Sequence, residues 1–86
     1  LYLQQRKDST AAIAVFRRNV ELFPNSANVY DSLGEALEQA GQLEESVQAY
    51  QEAVNRAAKN PDANLNIYRQ NLARAEAACK EKSKTP

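Results

Sequence analysis

Two segments of the chain share one pattern of hydrophobic positions at an offset of 34 residues. In each segment a small residue is followed by a β-branched residue, an aromatic ring and a valine, at the spacing i, i+1, i+4 and i+8. This spacing places the four side chains on one face of a helix. The residues are Ala12, Ile13, Phe16 and Val20 in the first segment and Ser46, Val47, Tyr50 and Val54 in the second. We predict one type of helix that recurs at a fixed period, as in repeat proteins.

A different helix is predicted between the two copies. Tyr30, Leu33 and Leu37 share one face, at i, i+3 and i+7. Asn25 and Ser26 precede this helix and can cap its start, because short polar side chains accept hydrogen bonds from the first backbone N–H groups.

Two glycines predict that another helix packs closely on this one and where this helix ends. Gly34 lies inside the helix, where glycine costs about 1 kcal/mol relative to alanine. Its presence indicates that a neighbouring helix packs too close for a side chain. Gly41 is predicted to end the helix, since glycine readily adopts the left-handed conformation found there. Glu44 and Glu45 then fall in the first turn of the next helix, where negative charge favours the helix dipole.

A last amphipathic helix is predicted towards the end of the sequence. Its apolar residues recur at i, i+3, i+7, i+10 and i+14 and form one continuous face. They are Leu65, Tyr68, Leu72, Ala75 and Cys79. Such a helix is typical of the end of a repeat array, where it covers the exposed side of the last repeat.

The combination of these residues resembles the tetratricopeptide repeat. That family's pattern has an aromatic residue, Leu-Gly three positions later, a large residue, a turn glycine, a small residue, a second aromatic residue and an alanine. The matching residues are Tyr30, Leu33, Gly34, Leu37, Gly41, Ser46, Tyr50 and Ala53. The resemblance implies one full repeat, with serine in place of the usual alanine at Ser46 and leucine in place of the usual tyrosine at Leu37.

The preceding copy resembles the family only in part. Ala12, Phe16 and Pro24 match, whereas Asn19 stands where alanine is usual and Lys7 where the turn glycine is usual. The resemblance therefore implies a partial repeat, in which the first helix is represented only by the first six or so residues.

We therefore predict an all-α fold of antiparallel helix-turn-helix repeats, stacked as a short right-handed α-α superhelix. The family's proline is expected at Ala58 and occurs here at Pro61, so the preceding helix is predicted to run about one turn longer. The sequence starts within a polar-apolar pattern, without a methionine, and we expect it to be a fragment of a longer chain. The predicted boundaries are a partial repeat 1–26, a full repeat 27–60, a capping helix 62–80 and a polar tail 81–86.

Charge is balanced over the chain but separated along it. The 11 basic and 11 acidic residues give a net charge of +2 over residues 1–26, −6 over 27–55 and +4 over 56–86. This pattern fits solvated helix faces with oppositely charged neighbours, or an acidic surface that steers a basic partner. A neutral chain without a basic stripe predicts no nucleic-acid ligand. The sequence also contains no apolar run of membrane-spanning length, so no membrane partner is predicted.

The residues needed for common catalytic sites are missing from the sequence. It contains no histidine, which removes the commonest general base and metal ligand. Cys79 is the single cysteine and is predicted to be a small buried apolar residue. Gly34 and Gly41 stand alone, so no glycine-rich phosphate loop is present. We predict a non-catalytic chain that needs no cofactor and no metal.

The family resemblance also implies where a partner would bind. In the full repeat the family's groove positions fall on Asn28, Asp31, Glu35 and Glu38. Three carboxylates predict a basic or amide-rich protein or peptide partner. Some family members bind the acidic tails of heat-shock chaperones through lysine and asparagine, but Asp31 and Glu35 occupy those two sites, which predicts against that partner. The alternative is a solvated face, or pairing of the carboxylates with Arg69 and Arg74 of the end helix.

The tyrosines are interpreted as structural residues. Tyr30 and Tyr50 occupy core positions of the repeat motif, and Tyr68 lies on the apolar face of the end helix. Tyr2 lies in the incomplete first helix and is expected to be exposed there.

Three functional hypotheses follow from the sequence. The first is a protein-protein interaction or scaffold module. The second is an accessory domain that packs on a larger enzyme, because residues 24–37 also resemble repeats at the C-terminal end of some bacterial hydrolases. The third is self-association into a homo-oligomer through the exposed start of the chain. The lone cysteine slightly favours a reducing compartment such as the cytoplasm, and export of a longer parent chain stays open.

Overall fold

The computed structural model describes residues 2–59 and 64–84, with side chains described for residues 10–59 and 64–81. Those residues form four helices and no strand: α1 (Tyr2–Leu22), α2 (Ala27–Gln39), α3 (Leu43–Lys59) and α4 (Leu65–Lys84). Each helix packs on the next along the chain. The short connections on either side of α2 make consecutive helices run antiparallel. The predicted all-α class and repeat arrangement are confirmed.

Helix α1 corrects one prediction. Residues 1–26 were expected to hold the end of one helix, a turn near Lys7 and a second helix, but α1 is continuous from Tyr2 to Leu22. Lysine is a good helix former and has no preference for the left-handed conformation that a turn glycine supplies. Without that glycine, nothing in the local sequence interrupts the helix.

The two ends of α2 differ in how well they were predicted. Ser26 occupies the N-cap position with extended backbone, yet its side chain makes no capping hydrogen bond. At the other end Gly41 has the predicted left-handed conformation, with φ of +81°. The N–H of Gly41 donates to the carbonyl of Glu38, and that of Gln42 donates to Leu37. These two bonds are the Schellman motif, which satisfies carbonyls that the helix end would otherwise leave free.

Helix α4, unlike α3, departs from its expected boundaries. Helix α3 continues to Lys59, which confirms the predicted extra turn. Helix α4 begins at Leu65, after a turn at Asn64, and not at residue 62; residues 60–63 lie outside the described part. It continues to Lys84, so most of the predicted polar tail 81–86 is helical. Lysine and glutamate favour helix, and basic residues near its end favour the helix dipole, which accounts for the extension.

The buried side chains of the described residues form two clusters, one involving α1 and the other α4. The first joins α1, α2 and α3 through the buried residues Ile13, Leu33, Ala36, Leu37 and Ala49, with Ala12, Phe16, Val20 and Ala40 packed against them. The second joins α2, α3 and α4 through Ala27, Ala53, Ala57 and Tyr68, with Tyr30, Val54 and Leu65 packed against them. Helix α2 contributes to both clusters and therefore connects the two ends of the domain.

Gly34 sets the distance between α2 and α3. A Cβ atom placed on Gly34 would lie 2.7, 2.8 and 3.0 Å from three ring carbons of Tyr50. The hydroxyl of Ser46 donates to the Gly34 carbonyl over 2.7 Å, so this buried serine is satisfied where the family usually has alanine. The close approach inferred from a glycine inside a helix is confirmed.

The apolar face of α4 packs as predicted. Tyr68 and Ala75 are buried, and Leu65 and Leu72 are half-buried. Cys79 is also only half-buried, less than the sequence interpretation expected. The end helix is thus docked on α3 over most of its described length.

Replacing Gly34 by alanine should destabilise the fold although alanine is the better helix former. The added methyl collides with the Tyr50 ring, and overpacking of this kind costs about 1–3 kcal/mol. The higher helix propensity of alanine offsets about 1 kcal/mol of that cost. Urea unfolding should show a lower free energy for Gly34→Ala than for wild type. In a Tyr50→Leu background the same substitution should cost less, and an equal cost in both backgrounds would contradict the proposed collision.

Leu72→Asp should loosen α4 by placing a carboxylate at a half-buried position of its apolar face. A loss of about 1–3 kcal/mol is expected, which for a domain of this size lowers the melting temperature by roughly 4–8 °C per kcal/mol. Ile67→Asp is the matched control, because Ile67 lies on the same helix and is 51% exposed. Equal melting temperatures for the two variants would show that Leu72 does not contribute to docking.

Candidate interaction surface

The four predicted groove residues do not share one surface. Asn28 and Glu35 are exposed, whereas Asp31 and Glu38 are half-buried and contact α4. Helix geometry separates the two pairs, since residues 28 and 35 are seven apart on one stripe and 31 and 38 are seven apart on the next. The acidic face of α2 is therefore divided between solvent and the end helix.

Glu38 is held by two groups from neighbouring helices. Arg74 of α4 donates from Nε to Oε2 at 3.0 Å and from Nη2 to Oε1 at 2.8 Å, which is the two-pronged geometry that favours arginine. The Tyr50 hydroxyl of α3 donates to Oε1 at 2.8 Å. One carboxylate thus joins three helices, and the predicted pairing with Arg74 is present.

These contacts change the acidity of the groups involved. The hydrogen bond from Arg74 lowers the pKa of Glu38, against the opposing effect of its partial burial. Burial raises the pKa of Tyr50, and the bond to Glu38 raises it further. All three groups therefore keep the protonation states that the contact requires at neutral pH.

Asp31 is also engaged by the end helix. Its carboxylate accepts a hydrogen bond from the Asn71 side chain over 2.9 Å. The sequence interpretation missed Asn71 as a partner and had suggested Arg69, which is exposed and makes no ion pair within the described residues. The spacing of Asn71 and Arg74, three residues apart on one helical face, is the signal that could have identified it.

The described tyrosines act as packing residues, as expected. The guanidinium of Arg56 lies 4.2 Å from the centre of the Tyr30 ring, and the same side chain donates to the carbonyl of Pro24. Tyr50 and Tyr68 are buried. The side chain of Tyr2 lies outside the described residues.

Glu35 lies instead at a pocket between α1 and α2. The pocket has a volume of about 230 Å³ and is open to solvent. Its walls are Ala12 and Phe16 of α1 and Ser32, Glu35, Ala36 and Gln39 of α2. Within the described part of the chain Glu35 has no ion-pair partner. The sequence interpretation found Glu35 but treated Ala12 and Phe16 as structural only. Ser32 and Gln39 are three residues before and four after Glu35, a spacing that could have revealed them.

Two other kinds of site are absent from the described residues. No group of three or more cysteine, aspartate or glutamate side chains there could hold a metal ion. No helix in the described ranges is both long enough and apolar enough to span a membrane. The pocket between α1 and α2 is open to solvent, so a partner can reach it.

Comparison with known proteins relates part of the chain to a family. Residues 27–60 match the family model of the tetratricopeptide repeat. This range covers α2, the turn at Gly41 and α3, and has the limits expected from the sequence. No curated protein and no solved structure shows significant similarity to the chain.

The contact between Glu38 and Arg74 should make stability depend on pH. Because the pKa of Glu38 is lowered in the folded state, its contribution is present above the ordinary value of 4.5 and is lost as the pH falls through the lower folded value. The difference in unfolding free energy between wild type and Glu38→Gln should therefore be positive at pH 7 and shrink below pH 4.5. Glu44→Gln removes an exposed carboxylate from the same segment and is the control. A difference that stays constant down to acid pH would contradict this assignment.

Proposed function

We propose that this chain is a non-catalytic protein-protein interaction module, because residues 27–60 match the family model of the tetratricopeptide repeat. Repeats of this family generally mediate protein-protein interactions and are generally non-catalytic. We assign the binding surface to the exposed stripe of α2 and the adjoining wall of α1. The observation that supports this assignment is the open pocket at Glu35.

The composition of the pocket favours a partner that is both basic and apolar. Glu35 is exposed and lacks an ion-pair partner in the described part of the chain, so a lysine or arginine of the partner can pair with it. Phe16 and Ala36 offer apolar surface beside that charge. The other two acidic groove residues are engaged by Asn71 and Arg74 and contribute little free charge.

The same charges disfavour acidic ligands. Asp31 and Glu35 are carboxylates at the family positions where lysine and asparagine bind acidic chaperone tails. An acidic tail would be repelled by Glu35 and would have to displace the Asn71 bond to Asp31. The proposed partner is therefore a basic segment.

Selection from a random peptide library, with the 86-residue chain as bait, tests the proposal. Enriched peptides should carry lysine or arginine next to aliphatic residues, and Glu35→Lys should weaken their binding at least tenfold, or about 1.4 kcal/mol. Glu44→Lys is the matched control, because it makes the same charge change at an exposed position of α3. If no peptide is enriched, or if both variants bind equally well, this surface does not bind a basic partner.

A further inference from the structure

The pocket between α1 and α2 can be compared with an equivalent surface inside the chain. The offset of 34 residues relates Ala12, Phe16 and Asn19 of α1 to Ser46, Tyr50 and Ala53 of α3. On α3 these positions are at most 1% exposed. On α1 all three are only half-buried. The same motif is thus covered in one copy and open in the other.

On α3 the covering element is a helix with a glycine at its centre. Helix α2 places Gly34 against the Tyr50 ring, and its Gly34 carbonyl accepts the hydrogen bond from Ser46. Leu33 and Leu37, one before and three after Gly34 along the helix, are buried in the cluster that joins α1, α2 and α3. A surface of this shape is filled by a helix with a small residue opposite the aromatic ring. No helix of the described chain fills it on α1, where the pocket remains.

We propose that the pocket receives a helix of a partner protein, docked on α1 in the way that α2 is docked on α3. This inference rests on the proposed interaction function and adds the class of partner. The partner helix carries glycine opposite Phe16, with aliphatic residues at the positions equivalent to Leu33 and Leu37. It completes a second helix pair beside the full repeat, continuous with the existing packing of α1 on α2.

The charge of the partner helix follows from the charged residue that lines the pocket. Asp31 and Glu38 are the side chains by which α2 contacts the following helix α4. The equivalent positions of the docked helix face α2, where Glu35 is the exposed charge. Glu35 lines the pocket and is exposed, so a basic residue on the side of the partner helix that faces α2 can pair with it.

A second copy of the chain fits this surface less well. The sequence contains only two glycines, and Gly34 is the one inside a helix. In each copy that glycine is already covered by its own Tyr50. A second copy would have to break the contact between α2 and α3 to offer it, whereas a separate helix would not.

The test uses a labelled peptide that copies residues 25–41, with Asp31→Lys and Glu38→Lys. Fluorescence anisotropy should show saturable binding to the full chain, and a Gly34→Leu version of the peptide should bind at least tenfold more weakly. In the protein, Ala12→Gln should fill the pocket and weaken binding at least tenfold. Ala11→Gln is the control, because Ala11 is next to Ala12 in the sequence but is exposed and does not line the pocket. Circular dichroism melts show whether each variant is folded.

Three results would overturn the proposal. These are no saturable binding below about 1 mM peptide, equal binding of the Gly34→Leu peptide, and insensitivity to Ala12→Gln in a folded variant. If library peptides still bind in a Glu35-dependent manner, the interaction function stands and the helical partner is wrong. If sedimentation equilibrium shows a dimer that Ala12→Gln dissociates, the occupant is a second copy.

Discussion

The backbone of Gly34 packs against the ring of Tyr50, and this close contact determines how α2 and α3 fit together. The ring lies where a side chain at position 34 would project, so α2 and α3 approach each other closely and Ser46 can reach the Gly34 carbonyl. Helix α2 packs on α3 with one side, and its other sides face α1 and α4. Both buried clusters include residues of α2, so each neighbour depends on how the pair is formed.

The two sides of α2 are used differently. Towards α4, polar contacts reinforce the apolar packing, because Glu38 joins Tyr50 to Arg74 and Asp31 accepts from Asn71. Towards α1, the buried residue Ile13 packs with Leu33 and Leu37, but a pocket stays open next to it at Phe16 and Glu35. Arg17 of α1 also forms an exposed ion pair with Glu45 of α3, over 2.6 Å. One side of the repeat is thus closed and the other presents a site.

Much of the fold could be predicted from the sequence, because its main determinants are local. The periodicity of apolar residues located α2, α3 and α4, and the two glycines predicted a close contact and a helix end. The continuity of α1 was missed, since the family pattern suggested a turn at Lys7 that no local residue enforces. The limits of α4 were also wrong, because a polar sequence of lysine and glutamate does not distinguish a tail from the end of a helix.

The candidate site was predicted only in part. Family positions identified Glu35, but they could not show that Asp31 and Glu38 turn towards α4. Their hydrogen-bond donors are the side chains of Asn71 and Arg74, which are distant in the sequence. Nor could they show that Ala12 and Phe16 line a pocket, since the same motif on α3 is fully covered. These features depend on contacts between distant parts of the chain, which single-sequence patterns do not contain.

A helix that fills the pocket between α1 and α2 must lie against Phe16. Intermolecular NMR contacts between the isotope-labelled chain and the peptide copy of residues 25–41 show whether it does. The proposed docking predicts nuclear Overhauser effects from the Gly34 α-protons of the peptide to the ring protons of Phe16. Contacts to Val15 and Leu22, which are exposed residues of α1 outside the pocket, with none to Phe16, would contradict it.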